Sequence, residues 1–154
     1  MSARLWFESI RASVLDIRKL EQKIEEAETK AGPHGQLSGS IGGGSHDSLR
    51  GIDRLVDSGL RERLERMREV TNPEIERALE VLYGRSGRGG LARARGATDA
   101  DILCCYYLQG MDWARIADDL ARPDVVRPNG WCRLRAMRAL AYVDRVGCGW
   151  LARS

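Results

Sequence analysis

From about Ala3 to Lys30, apolar residues Ile10, Val14, Ile17, Leu20, Ile24 and Ala27 recur at three- and four-residue steps in a background of Arg, Lys, Glu and Asp. That spacing predicts a helix with one narrow apolar stripe, and so narrow a stripe needs a partner. A second stripe of the same kind, Leu49, Ile52, Val56, Leu60, Leu64, Met67 and Val70, follows caps offered by Ser45, His46 and Asp47. Gly51 and Gly59 weaken this second helix by about 1 kcal/mol each relative to Ala, unless their missing side chains permit close packing. Between the two lies 31–45, AGPHGQLSGSIGGGS, whose glycines disfavour helix and which shows no strand alternation. It reads as a flexible link. With no preceding strand and no following G-K-[ST], it does not read as a phosphate-binding loop. Residues 1–70 are therefore expected to form an antiparallel helical hairpin or coiled coil.

A fresh helix start is expected at Thr71-Asn72-Pro73-Glu74, where Thr71 or Asn72 can cap and Pro73 suits the first helical position. A short helix through Ile75, Ala78, Leu79, Leu82 and Tyr83 follows, and the domain boundary is placed at 70/71. Residues 84–96 carry Arg85, Arg88, Arg93 and Arg95 without an acid. They read either as a basic arm for phosphates or as a solvated insertion.

Further along, Thr98 is expected to cap a helix carrying Ile102, Leu103, Tyr106, Tyr107 and Leu108, ended by Gly110. Asp112 caps the next, in which Trp113, Ile116, Ala117 and Leu120 share one face. After Pro123 and Pro128 comes a last helix near 129–141, with Cys132, Ala136, Ala139, Leu140 and Val143 inward and Arg133 and Arg138 turned away. Two short helices so placed read as a helix-turn-helix, although the ten residues 121–130 exceed the usual turn of about three or four. The fold class is thus all-α, with a hairpin over 1–70 and a small helix-turn-helix domain over 71–154.

The formal charge of +3 hides an asymmetry, because residues 121–154 hold seven Arg against only Asp124 and Asp144. This basic excess coincides with the last helix, where phosphate neutralisation would need it. An early-helix Arg can pair with guanine and an Asn with adenine in the major groove. Arg133 and Asn129 are therefore assigned to base edges, and Arg127, Arg135 and Arg138 to phosphates. Trp131 could stack on a sugar or base, or pack structurally.

Cys104, Cys105, Cys132 and Cys148 form no C-x-x-C pair, and His34 and His46 are remote from them, so buried free thiols are expected rather than a metal site. No cofactor is expected. Asp99, Asp101, Asp112, Asp118 and Asp119 read as caps and solvent-facing charges rather than as a catalytic set, which argues against an enzyme. No run approaches the ~20 apolar residues of a membrane span and no signal peptide is evident, so a cytoplasmic location without membrane association is expected.

The Asn72-Pro73-Glu74 start, the run Tyr106-Tyr107-Leu108-Gln109-Gly110-Met111-Asp112-Trp113-Ala114-Arg115-Ile116-Ala117 and the later Ala139-Leu140 resemble small phage- or prophage-encoded transcription regulators. Their last domain is similar to region 4 of bacterial sigma factors, as in late-gene activators. The resemblance implies structural roles for Trp113, Ile116 and Ala117 and a DNA-reading second helix; the Pro-rich turn at 121–130 and the stretch 84–96 depart from the family pattern. RNA polymerase is a further expected partner, bound through the helical hairpin. Sequence-specific binding of double-stranded DNA in transcription is the leading expectation. The alternatives are an adaptor acting through the hairpin, and a DNA-binding phage packaging component. Homodimerisation fits both the unpartnered stripes and two-fold DNA sites.

Overall fold

The structure, a computed structural model, describes residues 1–30, 46–121 and 125–154, and of residues 46–53 the helical backbone alone. Among the described residues it is all-helical. Seven helices follow in order: α1 (Ala3–Lys30), α2 (His46–Tyr83), α3 (Gly90–Arg95), α4 (Ala97–Leu103), α5 (Trp113–Leu120), α6 (Asn129–Val146) and α7 (Cys148–Arg153). A π-helical turn, Cys104–Leu108, continues α4. The expected link at 31–45, the stripe residues Leu49 and Ile52 and the middle of the 121–130 turn lie outside the described residues or side chains.

The chain divides into two compact units, one of residues 16–70 and one of residues 1–15 with 71–154. In the smaller unit, Ile17, Leu20 and Ile24 of α1 pack with Leu64, Leu60 and Met67 of α2. Ion pairs Arg61–Glu28 and Arg68–Glu21, the latter 2.8 Å, pair later residues of one helix with earlier residues of the other. The segments therefore run antiparallel. All four side chains are substantially exposed, so these pairs fix register more than they stabilise.

The larger unit is built on Phe7, Ile10 and Val14 of α1, Ala78, Val81 and Leu82 of α2, and buried positions of every later helix. The first fifteen residues thus pack with 71–154, which differs from a division at 70/71. A hairpin stripe that also carries Phe7, fully buried, reaches a second core at its amino end.

Nor does a new helix begin at Thr71. α2 runs unbroken through Pro73, and Thr71 is 95 % buried, with 5 % of its surface accessible, on the inward face. An interior proline forfeits one backbone hydrogen bond and crowds the preceding turn. Here the inward positions Leu60, Leu64, Met67, Thr71, Ala78 and Leu82 keep helical spacing across it, and burial on both sides outweighs that cost.

Residues 84–96 are anchored where 84 and 89–91 are buried, while 85–88 and 93–96, with all four arginines, are exposed. Gly84, at φ +72°, and Gly90, at φ +62°, adopt a conformation that favours glycine, and a Cβ on Gly90 would lie 2.7 Å from the Val81 carbonyl oxygen. The close approach turns the chain under the end of α2 and delivers Leu91, fully buried, into the core.

Candidate nucleic-acid interface

α5 starts where Asp112 accepts a hydrogen bond from the Arg115 N–H at 2.8 Å, as its capping position predicts. Ile116 and Ala117 are buried, while Trp113 stacks on Tyr106 with ring centroids 3.8 Å apart. The Arg11 guanidinium of α1 donates to the carbonyl of Tyr106, in the π-helical turn, and to that of Met111 beyond it, and lies over the Tyr106 ring. Gly110, at φ +62°, then redirects the chain into α5. α4 itself begins after Gly96 with no side-chain cap, so Thr98 does not serve the role expected of it.

α6 turns Cys132, Ala136, Ala139, Leu140 and Val143 inward, all buried. This is the inward face its periodicity predicts. The polar side chains of α6 then divide between two flanks. At helical pitch Arg133 and Arg138 are about 140° apart. Arg133 lines a groove of 550 Å³ with Met137 and Asp144 of α6, Arg4, Glu8 and Arg11 of α1, and the Tyr106 and Trp113 rings. Arg138 and Arg145 are exposed on the other side.

That other side contains an unexpected charge. Asp99, inside α4, is fully buried rather than facing solvent, and accepts from Arg135 Nε at 2.5 Å and from Arg95 Nε at 2.9 Å. Arg135 was expected to reach phosphate, and Arg95 to belong to an arm. Each instead neutralises a buried carboxylate, which would otherwise be costly to keep charged. Asp101, also a member of the acidic set, accepts a hydrogen bond from the Tyr83 hydroxyl at 2.7 Å.

Trp131 is half-buried and carries two guanidinium groups on its ring, Arg127 at 4.4 Å and Arg135 at 5.0 Å from the centroid. Tyr142 likewise carries Arg95 at 5.4 Å and Arg145 at 5.1 Å. Asn129 is exposed in the first turn of α6. Arg88 and Arg93 are exposed on and before α3, and Arg85 lies 3.6 Å from Glu80. Among the described residues, Arg127, Arg138 and Arg145 have no carboxylate within ion-pair distance. Like Arg88 and Arg93, which are also exposed and unpaired among the described residues, they remain available to an anion.

The four cysteines are free. Burial pushes each thiol pKa up, for Cys132 against the opposing pull of Arg127. Cys132 is buried as expected, whereas Cys104, Cys105 and Cys148 are only partly buried. Among the described residues no group of three or more His, Cys, Asp or Glu is placed to hold a metal, and no helix is long and apolar enough to cross a membrane.

The sequence reading assigned no role to Tyr142 or Arg145 and did not foresee the burial of Asp99. A signal for Asp99 was present, since it falls in register with Ile102 and Leu103 on one helical face. No family model, curated protein or solved structure matches the chain.

Proposed function

We propose that this protein binds double-stranded DNA in transcription regulation, with α5 and α6 as a helix-turn-helix and α6 entering the major groove. Supporting this is one observation above others: five inward side chains hold α6 on the core, while its opposite side exposes Arg138 and Arg145, with Arg127 beside its start. A helix held on the core with unneutralised cations outward suits phosphate contact, and exposed Asn129 in its first turn suits a base edge. The resemblance to phage and prophage regulators with a sigma region 4-like domain is consistent with this assignment. On this reading residues 16–70 form a helical hairpin that offers a surface to RNA polymerase or to a second copy, and the protein is a non-enzymatic cytoplasmic regulator.

Selection of sites from a random duplex pool, followed by anisotropy titration of the enriched duplex, tests the reading. A consensus bound by wild type and weakened about tenfold or more by Arg138→Ala is expected, corresponding to the loss of one charged contact of about 1.5 kcal/mol or more. Arg133→Ala, on the groove flank, should have less effect. Absence of both enrichment and duplex affinity would overturn it.

An adaptor role through the hairpin is favoured by a separate observation, the exposure of Leu55 (72 %), Val56 (58 %) and Val70 (74 %) in residues 16–70. Under that alternative Val56→Gln and Val70→Gln, rather than Arg138→Ala, abolish partner binding.

A further inference from the structure

Along one flank of α6 and its surroundings, seven side chains alternate in a single connected series. Asp99 stands at the centre, with Arg135 and Arg95 on its two oxygens. Beyond Arg135 come the Trp131 ring and then Arg127; beyond Arg95 come the Tyr142 ring and then Arg145. The inner pair of arginines faces a buried acid, whereas the outer pair has no carboxylate partner among the described residues.

Both rings belong to α6, and eleven residues separate them. At helical rise and pitch they lie about 16 Å apart and within about 20° of one meridian. A guanidinium resting on an aromatic face loses little of its hydrogen-bonding edge, which stays free for a phosphate, and it is already restrained before the ligand arrives. The major groove is about 12 Å wide. Two rings at this separation, each carrying an outer arginine, at 4.4 and 5.1 Å from the respective centroids, can present one cation to each of the two backbones.

We propose that Arg127 and Arg145 are paired phosphate clamps for the two walls of one DNA major groove, and that Trp131 and Tyr142 hold them in place rather than stack on bases. Asp99 acts at one remove, fixing Arg135 and Arg95 and through them the two rings. This rests on the DNA-binding reading above and adds to it the ligand chemistry and the positioning residues.

The test is the slope of log affinity against log salt for the full chain on a labelled duplex of random sequence. Arg127→Gln and Arg145→Gln should each reduce the magnitude of the slope by about 0.9, and the double variant by about twice that. Trp131→Leu should reduce it by a similar amount although it removes no charge, whereas Trp131→Phe, which retains a ring, should restore it. Lys19→Gln, in residues 16–70 and outside the series, should leave it unchanged. Thermal melts identify which variants fold, and Trp131→Phe and Arg145→Gln keep the test decisive if Trp131→Leu does not. Duplex binding with unchanged slopes in Arg127→Gln and Arg145→Gln would overturn the clamp and leave the DNA reading standing. Failure of wild type to bind duplex would overturn both. Tighter binding to a single strand, lost in Trp131→Leu at constant slope, would make the ring a base-stacking platform and overturn the assignment.

Discussion

Asp99 concentrates the chemistry of this molecule at the scale of one residue. Its carboxylate is wholly buried, and it pairs with two arginines whose side chains are 31 % and 34 % exposed. Asp99→Ala should destabilise by about 3 kcal/mol, the lower end of the range for breaking a buried pair, because both arginines still reach water. Denaturant unfolding checks this, and a loss below about 1 kcal/mol would contradict it. A second prediction concerns alkaline pH. Burial raises the pKa of all four thiols and of the Tyr83 and Tyr107 phenols, that of Tyr107 to about 12. Below the ordinary values of about 8.5 for Cys and 10 for Tyr, both states keep their protons. Above them the unfolded chain ionises first and binds fewer protons than the native one, so stability falls as pH rises towards the folded values. Reducing denaturant melts at about pH 7.5 and about pH 10.5 should show a lower midpoint at the higher pH, and an unchanged or higher midpoint would contradict this.

Among the elements, glycines with opposite surroundings give opposite expectations. Among the described residues a Cβ on Gly59 of α2 would meet nothing within 4 Å, and Gly59→Ala should stabilise by about 1 kcal/mol. Gly90→Ala should destabilise by at least about 2 kcal/mol, since a left-handed backbone and contact with the end of α2 both oppose it. Paired thermal melts decide both signs. Elements with strong periodicity or an evident cap were legible in the sequence: α1 begins at Ala3, α5 begins after Asp112, and the five inward residues of α6 are those its spacing selects. Where a local signal opposed tertiary packing, the sequence misled. Thr71-Asn72-Pro73 carries good start chemistry, yet inward positions on both sides of Pro73 keep one helix continuous. The glycines of 84–90 resemble a loose insertion, and only their close contacts with the end of α2 reveal a structural turn. The arginines of α6 were visible as a cluster. Which of them face a buried acid was not, because the partner Asp99 is 36 residues from Arg135.

The whole molecule is organised so that the candidate interface depends on the amino terminus. Phe7, Ile10 and Val14 belong to the same core as α4 to α6. A fragment of residues 71–154 should therefore lack a cooperative thermal transition, since the loss of Phe7 alone removes about 3–5 kcal/mol from a domain whose total stability is about 5–15 kcal/mol. A fragment melting as cooperatively as the full chain would contradict this. The central claim concerns the cations exposed by α6, and duplex affinity measured across a salt series for wild type and for Arg127→Gln/Arg138→Gln/Arg145→Gln tests it most directly. The expected result is salt-sensitive binding by wild type, with the slope reduced by about 2.7 in the triple variant at unchanged fold. Absence of duplex binding by wild type, or equal slopes in the two proteins, would contradict DNA recognition through this face.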